Sequence, residues 1–232
     1  MLDDYAFAGF PPECLRFFRG LARHNDREWF GAHKSDYERD VLVPARAFVV
    51  AMGARLRRLS PDLRVDPRTG GSGSIFRIHR DVRFSKDKRP YKTNLGILFW
   101  EGERKRGSGY YFHLEPSGLE LYVGMYTFDK DQLSAWRRAV DDPASGRLLA
   151  ALLRKAARQG YEIGGEAYKR VPAGYARDHA RADLLRHGSI WLRAAAAPPP
   201  ELHSAKLVDW CYPRFRDMHP LQAWLRDLLA GT

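Results

Sequence analysis

The chain has 232 residues, 44% of them hydrophobic and 29% charged, and a formal net charge of +11. Such a composition belongs to a folded protein with a sizeable core; it excludes a disordered chain, and no apolar run approaches the length needed to cross a bilayer. The cationic excess attracts phosphorylated metabolites, nucleic acids and acidic surfaces alike, and arginine, alanine and proline share GC-rich codons, so clustering of charge is more informative than its total.

Pro11-Pro12 opens a first helix carrying Leu15, Phe18, Leu21 and Ala22 at helical spacing, with proline tolerated in the first turn. Asn25 is expected to cap the next short helix, with Glu28 bonding back to it, and Trp29, Phe30 and Tyr37 fall in one or two short turns. Asp40 is expected to cap a longer helix that places Phe48, Met52, Leu56 and Leu59 on one side. Residues 60–74 are rich in Pro, Asp, Gly and Ser and mark a loop. Its Gly70-Gly71-Ser72-Gly73 run lacks the Lys-Ser or Lys-Thr of a phosphate loop and precedes a strand instead of a helix.

Strands are expected over 75–85, 95–100, 110–115 and 119–128, and the short breaks between the later ones suit an antiparallel meander. The basic tip Arg104-Lys105-Arg106-Gly107 is either a solvated hairpin end or a phosphate contact. Leu133, Trp136, Ala139 and Val140 then form an amphipathic helix, and Asp142-Pro143 starts another that ends near Gly160. A short strand or hairpin follows within 161–171, a short helix over 178–186 with Gly188 as its stop, and an extended piece over 189–192. A spacer over 194–200 leads to two closing helices, 201–215 and 220–229. We therefore expect one α+β domain, with a helical front (1–60), a central antiparallel sheet (74–128) and a mostly helical remainder (129–232).

The densest chemistry lies in 76–94. Phe76, Ile78, Val82 and Phe84 alternate as on a half-buried strand, while Arg77, His79, Asp81 and Arg83 share the other face. Arg80 interrupts the apolar row and needs a partner: another carboxylate, a bound anion, or Asp81 across a bulge. Lys86, Lys88, Arg89 and Lys92 crowd the turn beyond, and Tyr91 follows the stiff Pro90. Arginine suits bidentate phosphate or carboxylate recognition and lysine supplies point charge. Arg77, His79, Arg80, Arg83, Lys88, Tyr91 and Lys92 are thus candidate ligand-binding residues, with Asp81 a candidate base or positioner. The ligand class is a small phosphorylated or otherwise anionic molecule. The alternatives are a nucleic-acid-binding module, or an internal Arg-Asp ion-pair ladder with no ligand.

The eight histidines form no His-Glu-x-x-His metal motif, no Gly-x-Ser-x-Gly elbow is present, and Cys14 and Cys211 fit neither a metal spacing nor a redox pair. No metal is expected, and the residues name no cofactor, reaction or oligomeric state. The opening Met-Leu-Asp-Asp-Tyr lacks the basic and apolar regions of a signal peptide, so a cytoplasmic location without membrane association is expected.

Arg77-x-x-Arg80-Asp81-x-Arg83-Phe84, with Asp87-Lys88 and Tyr91-Lys92-Thr93 behind it, resembles the signature of the DUF2461 family of conserved hypothetical proteins. Asn25-Asp26-Arg27-Glu28-Trp29-Phe30, with Lys34 and Tyr37, resembles that family's N-terminal block; His79 stands where the family leads us to expect Tyr. The resemblance covers essentially the whole chain and implies bacterial members with fungal relatives. It implies no activity, cofactor or catalytic residue.

Overall fold

The computed structural model describes residues 6–103 and 107–230, so the basic hairpin tip at 104–106 lies outside the described residues. The helices are α1 (Pro12–Arg23), α2 (Arg27–Ala32), α3 (Lys34–Asp36), α4 (Val43–Leu56), α5 (Lys130–Asp141), α6 (Pro143–Arg158), α7 (Ala182–Leu185) and α8 (Leu207–Leu229). A π-helical turn, Tyr37–Leu42, joins α3 to α4. The strands are β1 (Leu95–Trp100), β2 (Gly109–Glu115), β3 (Gly118–Met125), β4 (Glu162–Glu166) and β5 (His187–Ala196). They pair as an open antiparallel sheet in the order β1-β2-β3-β5-β4, so the fold is α+β as its sequence pattern requires.

The described chain divides into two compact units. The first runs to Phe99 and adds Tyr111–Leu121 and Ala195–Pro213. Its core gathers around α4, which is apolar nearly all round: Ala45, Ala47, Phe48, Val49, Met52 and Leu56 are buried, not only the single side the spacing suggests. Phe48 packs against Phe112 at 4.7 Å and Phe7 at 5.2 Å. Phe10 is tied at both backbone ends, its N–H donating to Leu202 O at 2.8 Å and its carbonyl lying 2.7 Å from His203 Nδ1.

The second unit comprises Trp100–Tyr110, Tyr122–Ala194 and the residues from Arg214 on. Its centre is Trp136, fully buried between Phe128 at 5.3 Å and Trp224 at 5.6 Å, with its indole N–H donating to Leu184 O at 2.8 Å. Asp129 caps α5 with a reciprocal Gln132 bond, and Asp142 caps α6 by accepting from the Ala144 and Ser145 amides. Gly160, at φ 88°, lets the chain leave α6 in a left-handed turn that other residues disfavour.

Several expectations are corrected. Residues 75–85 form no continuous strand; only isolated bridges occur there, Ile75 to Thr69 and Ile97, and His79 to Tyr91. Asp26, not Asn25, caps α2, accepting from the Trp29 amide at 2.8 Å. Asp40 is no cap: it sits inside the π-helical turn, buried and paired to Arg39. Gly188 does not stop a helix but lies in β5, and that strand runs on to Ala196, into the start of the expected 194–200 spacer. The two closing helices are one: α8 passes through Pro213 and Pro220. Each proline removes a helical hydrogen bond at a cost near 3 kcal/mol, and the buried stripe Leu207, Cys211, Phe215, Met218, Leu221 and Leu225 offsets it.

Because the two caps act on separate helix starts, Asp129→Ala and Asp142→Ala are each expected to lower unfolding free energy by about 1 kcal/mol in urea titrations, and to do so additively.

Candidate anion-binding site

The 75–94 segment leaves and rejoins β1 as an irregular hairpin. At its base Phe76 N–H donates to Gly96 O at 3.0 Å and Leu98 N–H to Ser74 O at 2.9 Å. Higher up, Lys92 N–H donates to Ile78 O and Arg80 N–H to Pro90 O, both at 2.8 Å, making a short antiparallel stem of 78–80 against 90–92. Residues 81–89 form its tip. The apolar alternation that suggests a longer strand is therefore broken where Arg80 stands: Ile78 is buried, Val82 is half-buried and Phe84 is 96% exposed.

The stem is anchored from the N-terminal helices. Asn25 Nδ2 donates to Tyr91 O at 3.1 Å, and the Tyr91 amide donates to Asn25 Oδ1 at 3.0 Å, so one side-chain amide satisfies both backbone groups of one residue. Tyr91 is buried and its ring stacks on Phe30 at 4.3 Å. His79 lies beside both rings, 6.1 Å from Phe30 and 5.2 Å from Tyr91, so it packs the stem as well as facing solvent. Asn25 had no visible role as an anchor in the sequence; the signal was two adjacent cap-type residues, Asn25 and Asp26, of which a helix needs only one.

The tip is tied down by its two carboxylates. Asp81 receives Arg83 through Nε at 2.9 Å and a terminal nitrogen at 2.7 Å. Asp87 bridges Arg80 at 2.8 Å and Arg89 at 2.7 Å, and Arg80 also donates to Arg89 O at 3.1 Å. The partner that Arg80 requires is thus another carboxylate. Lys88 Nζ donates to Val82 O at 3.0 Å across the tip. The Arg83 guanidinium holds the Asp81 carboxyl down to about 2, and Arg89, with Arg80, holds Asp87 well below the usual carboxylate range. These exposed pairs shape the loop more than they stabilise the protein.

What remains is charge without a counterpart. The 77–92 stretch holds seven cations and two carboxylates. Among the described residues, Arg77, Lys86, Lys88 and Lys92 make no ion pair with a carboxylate, although the Arg77 charge still helps to hold the Asp81 carboxyl down. Lys92 is the most constrained of them: Nζ donates to Arg77 O at 3.1 Å and lies 5.3 Å from the centre of the Phe76 ring. Burial, and then the nearby Arg77 charge, lower its tendency to hold a proton. Phe84 sits beyond the stem with the Arg83 guanidinium 5.9 Å from its ring centre. The structure thus brings Arg77 and Lys92 together, groups Arg80 with Asp87 and Arg83 with Asp81, and puts His79 and Tyr91 on the stem and Lys88 on the tip. Among the described residues no three of His, Cys, Asp and Glu converge to hold a metal ion. No described helix is long and apolar enough to cross a membrane.

Removing the anchor is expected to be costly in proportion to the two bonds lost: Asn25→Ala should lower unfolding free energy by about 1–3 kcal/mol in urea titrations and speed Tyr91 amide exchange. The depressed carboxyls set a pH window. Their native ties are fully present above the ordinary carboxylate value of 3.8 and are lost as pH falls through the folded values, so side-chain NMR should show Asp81 titrating at about 2 and Asp87 well below the usual carboxylate range.

Comparison with curated proteins finds no match, and comparison with solved structures finds none. A family model does match: that of the conserved hypothetical protein family DUF2461, over residues 13–224. Those residues include both the Asn25–Phe30 block and the loop that it anchors, and on this match the chain belongs to the DUF2461 family.

Proposed function

We propose that the 77–92 loop binds phosphate or a similar anionic group of a small ligand, seated between Arg77 and Lys92. The observation that carries this is the closeness of those two cations, neither of them in an ion pair, on a stem anchored by Asn25 and Phe30. An anion placed there relieves their mutual repulsion, and little ordering is needed to receive it. Lys88 reaches across the tip and adds point charge, while Arg80 and Arg83 keep the tip in shape through Asp87 and Asp81. Asp81 serves this reading as the carboxylate that fixes Arg83. Titrating near 2, it is a poor proton acceptor at neutral pH, and no reaction is assigned to it.

A second reading has its own support. Phe84, almost fully exposed beside Arg83 and Lys86, is the arrangement on which a single-stranded nucleic acid can stack a base while cations follow its phosphates.

Isothermal titration with pyrophosphate tests the first reading. Arg77→Ala and Lys92→Ala are each expected to weaken binding about tenfold, while Arg83→Ala, already committed to Asp81, changes it less than about twofold. Equal effects from all three, or no saturable binding by the parent protein, contradict it. The nucleic-acid reading predicts instead that an oligothymidylate binds with an affinity falling steeply and linearly in log salt, and that Phe84→Ala weakens it.

A further inference from the structure

A cleft of about 290 Å³ opens among α1, α2 and the π-helical turn, apart from the cationic loop. One wall is aromatic. The Trp29 indole lies against α1 at Gly20, where an added Cβ would meet its ring at 2.6 Å, so the glycine makes room for it. His33 stacks on the indole at 3.9 Å and is held by a 2.8 Å contact between its Nδ1 and Trp29 O, while Phe17 stands 5.6 Å away.

The rest of the lining is charged, and its charges do not cancel. The π-helical turn carries Arg39 and Asp40 into the cleft next to Asp36. A single guanidinium, that of Arg39, serves both carboxylates, Asp36 at 2.9 Å and Asp40 at 2.6 Å. Asp40 is only 6% exposed, so water screens it poorly. Glu13 and Arg16 pair at 3.2 Å and cancel each other. One negative charge is left over, partly desolvated, in a cleft that the Trp29 ring also lines, in a protein whose net charge is +11. π-Helical turns interrupt helices rarely, and frequently at functional sites.

We propose that this cleft binds a small organic cation, its alkylammonium or guanidinium head lying against Trp29 and balancing the charge that Asp36 and Asp40 share. Aromatic faces and a half-compensated carboxylate pair favour a cation, and the volume suits a molecule of metabolite size. A metal ion is poorly served, because among the described residues no three of His, Cys, Asp and Glu converge to hold one. The proposal is independent of the loop.

The test is calorimetric titration of the full chain with agmatine at constant ionic strength, with sodium acetate as the anionic control. Saturable binding of one agmatine is expected, with affinity about tenfold lower in Asp36→Asn and in Trp29→Leu and unchanged in Lys92→Ala. Asp36 is partly exposed, so Asp36→Asn keeps the fold and decides the matter even if Trp29→Leu unfolds. The proposal is overturned if the parent protein shows no saturable agmatine binding, or if Asp36→Asn binds it as tightly as the parent.

Discussion

One side-chain amide fixes the cationic loop of this protein. Asn25 bonds both the N–H and the carbonyl of Tyr91, as a neighbouring strand would, and closes a stem that is otherwise only three residues a side. A loop carrying seven cations repels itself, and two carboxylates cannot neutralise it. Without an anchor such a segment would spread into solvent. With Asn25 at one side and the Phe30 ring stacked on Tyr91, the repulsion is held in one conformation.

The two separate stretches that carry the resemblance to the family come together at this stem. Asn25 and Phe30 belong to one, His79 and Tyr91 to the other, and all four meet at the stem. Within the loop the carboxylates are spent on shape: Asp81 orients Arg83, and Asp87 draws Arg80 and Arg89 together. Arg77 and Lys92, at the root of the stem, take no part in those ion pairs, and Lys92 Nζ is held by the Arg77 carbonyl. On the proposed reading, some cations fold the loop and others are presented by it.

Where a single period governs a stretch, the sequence was a sound guide. β1, β2 and β3 lie where expected to within a few residues, β2 and β3 with alternating burial, and Asp142-Pro143 starts α6 because a cap and a first-turn proline act locally. It misled where distant contacts override local preference. The row Phe76, Ile78, Val82, Phe84 has strand spacing, yet a strand needs a partner along its length, and beyond Arg80 the pairing partner is the loop's own return through Pro90 to Lys92. Asn25 looks like a cap until Tyr91, 66 residues on, claims its amide. Asp40 looks like a cap too, but the helix runs through it as a π-helical turn that no local pattern announces. The expected break before Pro220 does not occur: α8 runs through both Pro213 and Pro220, and burial along it outweighs them. Of the candidate site residues, the sequence could name Arg77 and Lys92 as cations but not single them out, because only the fold decides which arginines receive a carboxylate.

The central claim is that this loop presents a preformed seat for an anion at the root of its stem. Amide chemical shifts followed by NMR during a pyrophosphate titration test it most directly. The account predicts saturating shifts concentrated at residues 76–78 and 91–93, with the Asn25 side-chain amide resonance retained. Shifts scattered over the basic surface without saturation, or none in that stretch, would contradict it.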